Sequence, residues 1–134
     1  MLQAVHHLNL LVRDIDAAAA RYTQLFGVEV GPREELAARG VVTRRFLCGP
    51  TWIVLVQPTR ADTLPAKRLA ERGEGLFLLS FAVQDLAVAM DAVHAAGAAT
   101  TTAAPRIGLD NWRIVDIDPE DIFGADIQLC EVQQ

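Results

Sequence analysis

The chain has 134 residues, of which 51% are hydrophobic and 22% are charged, and its formal net charge is −5. This length suits one domain, or two small modules that share a core, and the apolar fraction is too high for a disordered chain. No segment approaches the roughly 20 apolar residues that a membrane span needs. The net negative charge argues against a nucleic-acid partner.

The cysteines and the N-terminus bear on the cellular compartment. Cys48 and Cys130 are too few to build a disulfide framework. The N-terminus lacks a basic segment followed by a long apolar stretch, so it predicts no secretory signal. We therefore expect a cytoplasmic protein with reduced thiols and no membrane partner.

The first predicted elements are a strand and a helix. Residues 7–12 alternate in the manner of a half-buried strand, and Asp14 follows as a candidate helix N-cap. Apolar residues then recur at helical spacing from Ile15 to Phe26, and Gly27 is typical of a helix end.

More strands and a connecting segment follow the first helix. Residues 59–73 form the predicted connection, in which Thr63 is a candidate cap for a short helix. Before this connection, the strand-like runs lie at 28–34, 41–47 and 52–57.

The second half of the chain repeats this order. Residues 78–86 align with residues 7–15, so that Asp85 takes the place of Asp14 as the cap of a helix that ends near Gly97. Further strand-like runs lie at 100–104, 112–117 and 126–132, and residues 105–111 are typical of a loop.

Each half therefore predicts a βαβββ module, and the fold class is α+β, with helices covering one face of largely antiparallel strands. We expect a single domain, with module one at about 1–58, a linker at about 59–73 and module two at about 74–134. Residues 1–72 carry a net charge of +3 and residues 73–134 one of −8. We interpret these halves as two folded modules with different surfaces.

Several short phrases occur in an informative order along nearly the whole chain. They are His-Leu-Asn-Leu-Leu-Val-Arg-Asp at 7–14, Arg-Gly-Val-Val at 39–42, Leu-Val-Gln-Pro at 55–58, Gly-Glu-Gly-Leu at 73–76, Asp-Pro at 118–119 and Gly-Ala-Asp-Ile-Gln-Leu at 124–129. With the duplicated βαβββ pattern, they resemble the vicinal oxygen chelate superfamily of glyoxalases, bleomycin-resistance proteins and extradiol dioxygenases. Their order is most similar to the methylmalonyl-CoA epimerase branch.

The resemblance implies a mixed sheet that curls into a cup, with helices on the outer face and a divalent metal on the inner face. In the family, four ligands, typically His and Glu or Gln, come from the first and last strands of each half. The epimerase's additional catalytic glutamate falls here on Thr43. The four ligand positions fall on His7, Val54, Leu78 and Gln128.

These positions do not retain the chemistry that the resemblance implies. Valine and leucine offer no donor atom, and one imidazole with one amide is too few ligands for the metal. Neither Thr43 nor Gln128 is a competent base at neutral pH. We therefore expect no metal, unless Cys130, Asp126 or Asp116 rebuilds a site from new positions, and no other cofactor. We also expect no activity of the methylmalonyl-CoA epimerase type that depends on these residues.

The predicted cup face is mostly apolar with a few polar groups, as in many small-molecule sites. Strand alternation groups the side chains that share this face, and it leaves the orientation of Asp116 open. The candidate residues are His7 for proton transfer and, for contact with a ligand, Asn9, Thr43, Arg45, Val54, Leu78, Ser80 and Gln128.

The polar candidates also have ordinary structural explanations. His7 can be a hydrogen-bonded pocket residue rather than a metal ligand, although imidazoles in general can carry protons near neutral pH. Arg45 either clamps a carboxylate or phosphate or carries an edge charge that discourages strand pairing between molecules. Gln128 can be a plain hydrogen-bonding residue, and His6 and His94 are expected on the surface.

Three classes of function stay open. The preferred one is a glyoxalase/bleomycin-resistance-type protein that binds a small organic molecule in its cup. The alternatives are a lyase or epimerase that acts on a small acyl or carbonyl metabolite, with His7 as acid and base, and a non-catalytic scaffold. The residues leave open whether the protein is an enzyme, and the resemblance implies a homodimer.

Overall fold

A computed structural model describes residues 1–132. The described residues form eight strands and three α-helices, and none of these helices is both long and apolar enough to cross a membrane. In chain order the elements are β1 (Leu2–Leu11), α1 (Ile15–Phe26), β2 (Glu34–Leu36), β3 (Val41–Cys48), β4 (Thr51–Pro58), α2 (Leu64–Arg72), β5 (Gly75–Val83), α3 (Leu86–Ala95), β6 (Arg106–Ile107), β7 (Arg113–Asp116) and β8 (Ile127–Glu131). The fold is α+β, which confirms the predicted class.

The chain divides into two compact units. A continuous unit comprises Leu8–Phe77, and a discontinuous unit comprises Met1–His7 together with the described residues 78–132. The predicted single domain, with module boundaries near residues 58 and 74, stays a prediction.

In the continuous unit, the strands follow the order β2-β3-β4-β1. The β2–β3 and β3–β4 pairs are antiparallel. Helix α1 covers one face of these strands, and burying each large aliphatic side chain there contributes about 1.5–3 kcal/mol. The buried residues at this contact are Val12, Ile15, Ala19, Val42 and Leu55.

In the discontinuous unit, the strands follow the order β1-β5-β8-β7-β6. Strand β8 runs parallel to β5, and the β7–β8 and β6–β7 pairs are antiparallel. The orders β1-β4-β3-β2 and β5-β8-β7-β6 match, so the sequence repeat is also a repeat of strand topology. Helix α3 covers one face, where the buried residues are Val83, Leu86, Ala89, Met90, Val115, Ile117 and Leu129.

The two repeat helices begin in the same way. Asp14 accepts a hydrogen bond from the backbone N–H of Ala17, and Asp85 accepts one from Val88, each at 3.1 Å. These contacts satisfy backbone donors that have no partner within the helix. Gly27, with φ of 68°, ends α1 as the sequence predicts.

A second side chain caps each helix from the last strand of its own repeat. Gln57 Oε1 accepts from the backbone N–H of Ile15 at 2.8 Å, and Glu131 Oε1 accepts from that of Leu86 at 3.1 Å. The Leu-Val-Gln-Pro phrase therefore contributes a residue that joins β4 to the start of α1.

Strand β1 begins at Leu2, five residues before its predicted start, and two other predicted strands are placed differently in the structure. Residues 28–33 are irregular, and β2 begins only at Glu34. Residues 100–104 contribute a single bridge, between Thr100 and Ile117, whereas β6 lies inside the predicted loop. Strands β2 and β6 are short and lie at the ends of the strand order. At such positions the partner strand, rather than local alternation, decides where the strand begins and ends.

Candidate functional site

The sheet face of the discontinuous unit that points away from α3 carries a row of polar side chains. Ser80 on β5 pairs with Gln128 on β8, which pairs in turn with Asp116 on β7. The alternate residues Phe81 and Leu129 pack with the α3 cluster, so strand alternation places the polar residues on the opposite face. Asp116, whose orientation the sequence left open, faces the same side as Gln128.

Hydrogen bonds fix the orientation of the Gln128 amide. Its Nε2 donates to Asp116 Oδ1 at 3.1 Å, and Asp116 Oδ2 lies 2.6 Å from Arg106 Nη2. A carboxylate only accepts hydrogen bonds, so the amide nitrogen must face Asp116. Gln128 Oε1 and Ser80 Oγ are buried, and neither has a hydrogen-bond partner within residues 1–132. A buried polar atom without a hydrogen-bond partner lowers the stability of the folded state by about 1–3 kcal/mol.

Arg106 is a site residue that the sequence analysis missed. It lies on β6, in the stretch predicted to be a loop, and its side chain and that of Asp116 are each 23% exposed. The ion pair holds the Asp116 carboxylate in place. A signal was present, because Arg106 and Arg113 are the only lysine or arginine residues in the sequence from 73 to 134.

His6 and His7 of β1 converge with Cys130 of β8. The two Nδ1 atoms are 2.8 Å apart, and one ring nitrogen from each histidine and the Cys130 Sγ all lie within 4.8 Å of one another. Trp112 stacks on His7 with ring centroids 4.8 Å apart and meets His6 edge-on at 4.6 Å. His7 and Cys130 are buried, and His6 is half-buried rather than on the surface, so the expectation for His6 was wrong.

The Cys130 thiol is expected to have low reactivity. Burial raises the pKa of Cys130 to about 12, and the neighbouring Glu131 carboxylate acts in the same direction. The thiol is therefore protonated at neutral pH and is a poor nucleophile. Cys48, by contrast, is exposed.

Except for Leu78, which lies at the start of the discontinuous unit's second segment, the other predicted site residues belong to the continuous unit. Thr43 pairs with Val56 and Arg45 pairs with Val54 across β3 and β4. The alternate residues of both strands pack against α1, so these four side chains lie on the opposite face. Asn9 of β1 is partly buried, and its Oδ1 has no hydrogen-bond partner within the described part of the chain.

The Arg45 guanidinium contacts side chains of the continuous unit. Its Nε lies 3.2 Å from Glu34 Oε1, and its guanidinium carbon lies 4.3 Å from the centre of the Trp52 ring. Thr43 Oγ1 donates to the Glu34 carbonyl at 3.1 Å. The Arg45 side chain is only 13% exposed, which does not fit a solvated edge charge.

The four positions that the resemblance assigns to metal ligands do not supply a ligand set. Val54 and Leu78 are buried aliphatic side chains, and the Gln128 amide nitrogen is committed to Asp116. Only His7 and Gln128 carry donor atoms, whereas a catalytic zinc site generally uses three protein ligands. These residues do not fit the metal of the family.

Known proteins are similar to this chain over its whole length. The ethylmalonyl-CoA/methylmalonyl-CoA epimerase of Cereibacter sphaeroides is 27% identical over 98% of this chain and 100% of its own. A variant of the Streptomyces coelicolor methylmalonyl-CoA epimerase, in complex with 2-nitronate-propionyl-CoA, has a TM-score of 0.94 at 26% identity and 100% coverage of both chains. The methylmalonyl-CoA epimerase of Mycobacterium tuberculosis has a TM-score of 0.93 at 26% identity, over 99% of this chain and 90% of its own.

A family model agrees with these likenesses. The model described as the Glyoxalase/Bleomycin resistance protein/Dioxygenase superfamily matches residues 6–115, which is most of the chain. The match includes the opening His-x-x-Leu-x-Val-x-Asp motif and most of both repeats, and it confirms the predicted resemblance. The chain therefore belongs to the glyoxalase/bleomycin resistance protein/dioxygenase superfamily.

Proposed function

We propose that the protein binds a small organic molecule at the Ser80–Gln128 face of the discontinuous unit, without a metal at the family's four ligand positions. One observation carries this proposal: Ser80 Oγ and Gln128 Oε1 belong to cross-strand neighbours, and both are buried with no partner within residues 1–132. Native proteins rarely leave such atoms unsatisfied. A ligand that hydrogen-bonds to them offsets the desolvation penalty.

The two oxygens define the chemistry of the ligand. Gln128 Oε1 only accepts hydrogen bonds, whereas the Ser80 hydroxyl donates or accepts. The ligand therefore needs an N–H or O–H donor, such as an amide or a hydroxyl group. Ala82 and Ile114 are buried on the same face, which supplies the apolar lining typical of small-molecule sites.

Acyl-CoA thioesters are the first ligand class to test. The similar proteins are named as epimerases of methylmalonyl-CoA, and one of them was solved with a CoA derivative bound. The pantetheine arm of CoA carries amide groups, which match the donor that Gln128 requires.

Epimerase activity is the second candidate, and the names of the similar proteins favour it. Thr43 and Gln128 stand where the resemblance implies a catalytic glutamate and a metal-binding carboxylate. Neither side chain abstracts a proton at neutral pH. We therefore propose binding rather than turnover.

Calorimetric titration tests the binding site. Untagged, chelator-treated protein is titrated with CoA, propionyl-CoA and methylmalonyl-CoA, and we expect a one-to-one complex with at least one thioester. Gln128→Met removes the acceptor and should weaken this complex about tenfold. Gln84→Met, at an exposed position of the same unit, is the matched control and should bind normally.

Two results would count against the proposal. If no thioester binds, or if Gln128→Met binds as tightly as the unsubstituted protein, the site assignment is wrong. If methylmalonyl-CoA incubated with the protein in D₂O gains deuterium next to the thioester carbonyl on the timescale of turnover, the protein is catalytic and the binding-only function is wrong.

A further inference from the structure

We propose that His6, His7 and Cys130 form a site for a borderline-soft divalent cation such as Zn²⁺. This site shares only His7 with the four positions that the resemblance assigns to the family metal. It lies within the discontinuous unit, and it does not depend on the organic ligand proposed above.

The spacing of the three donor groups fits a tetrahedral ion. Zinc–nitrogen and zinc–sulfur bonds of about 2.0–2.3 Å place neighbouring ligand atoms about 3.3–3.6 Å apart. In the structure, the two Nδ1 atoms are 2.8 Å apart, and all three donors lie within 4.8 Å of one another. These distances bracket the required range, and the two Nδ1 atoms, which are closer than 3.3 Å, would move apart around a bound ion.

The convergence of two consecutive histidines is the second argument. Successive residues of a strand normally point to opposite faces, yet the imidazoles of His6 and His7 meet beside the buried Cys130. Trp112 packs against both rings and restricts their orientation. The result is two nitrogen donors held next to a sulfur donor.

The donor set selects the kind of metal. Two imidazoles and a thiolate, which forms when the ion displaces the Cys130 proton into solvent, suit Zn²⁺ and Co²⁺, whereas Mg²⁺ and Ca²⁺ prefer oxygen ligands. Three protein ligands leave a fourth tetrahedral position for water or for an oxygen atom of a bound molecule. A direct hydrogen bond between the two imidazoles is the competing explanation of their contact.

Cobalt titration of untagged, metal-free protein distinguishes these explanations. We expect one equivalent of Co²⁺ to bind, with visible bands of a four-coordinate ion and a near-ultraviolet thiolate-to-cobalt charge-transfer band. Cys130→Ser should abolish the charge-transfer band and weaken Zn²⁺ binding by at least about 10–100-fold, the loss that changing even a hydrogen-bond partner of a ligand causes. His6→Ala should weaken Zn²⁺ binding to a similar degree, and because His6 is half-buried this variant is the safer one for folding.

The chain offers matched controls for both ligand types. Cys48 and His94 are exposed, so Cys48→Ser and His94→Ala should bind Co²⁺ normally, and circular dichroism checks the fold of every variant. Absence of stoichiometric cobalt, or a charge-transfer band that survives Cys130→Ser, would overturn the proposal. So would zinc binding that is lost in Gln128→Met but kept in His6→Ala, because the family positions would then hold the ion.

Discussion

Gln128 illustrates how a single residue changes the chemistry of the Ser80–Gln128 face of the discontinuous unit. The resemblance to the family implies a glutamate at this position, and the structure instead has an amide that donates to Asp116 at 3.1 Å. Asp116 also accepts from Arg106, so one carboxylate organises two neighbouring side chains. A second carboxylate at position 128 would face Asp116 directly.

Gln128→Glu should therefore make stability depend on pH. Two facing carboxylates disfavour double ionisation, which raises the pKa of the pair in the folded state above that in the unfolded chain. The folded state then binds more protons than the unfolded state, so stability falls as pH rises. Urea unfolding should show a loss about 1–3 kcal/mol larger at pH 8 than at pH 4.5. Gln84→Glu is the control, and an equal loss at both pH values would contradict the expectation.

The two cysteines should differ sharply in reactivity. Cys48 is exposed, whereas Cys130 is buried and its pKa is raised to about 12. A thiol reagent at pH 8 should therefore label Cys48 in the native, metal-free protein and label Cys130 only after unfolding. Mass spectrometry of Cys48→Ser checks this, and rapid native labelling of that variant would show that Cys130 is accessible.

At the scale of elements, the two repeats share the way in which their helices α1 and α3 are capped at the N-terminus. In both halves an aspartate caps the helix, and a side chain from the last strand of the same repeat binds the first helical N–H. The two contacts fix where each helix begins relative to its sheet. Helix capping is therefore a physical reason for Asp14 in the opening phrase and for Gln57 in the Leu-Val-Gln-Pro phrase.

Removing one cap measures this contribution. Asp85→Ala leaves the N–H of Val88 without its 3.1 Å acceptor, and we expect a loss of about 1 kcal/mol, or about 3–5 °C in Tm. Asp91→Ala, at an exposed position inside the same helix, is the control for losing a negative charge. An equal decrease in Tm for both variants would show that charge rather than capping matters.

At the scale of the whole molecule, the chain has an α+β fold and belongs to the superfamily. The resemblance implies a homodimer. Sedimentation equilibrium of the untagged protein should give a mass of about twice the 14.6 kDa of one chain. A mass equal to one chain across the concentration range would contradict the dimer.

Local patterns in the sequence predicted most of the elements correctly. Alternation, helical spacing and the caps at Asp14 and Asp85 are properties of neighbouring residues, so these patterns were sufficient to place β1, β3, β4, α1 and α3. The same alternation groups Gln128 with Cys130 on one strand and Thr43 with Arg45 on another, whereas the expectation that Ser80 and Gln128 share a face rested on the resemblance. The short edge strands β2 and β6 could not be placed, because their partners rather than their own residues define them.

The sequence alone established the fold class and the duplication, and it predicts the loss of the family's ligand set, because these depend on residue types and on local order. The tertiary structure decided which distant side chains meet. The pairing of Arg106 with Asp116, the orientation of the Gln128 amide and the convergence of His6, His7 and Cys130 join separate strands. Such contacts arise from strand register and packing, and no local periodicity encodes them.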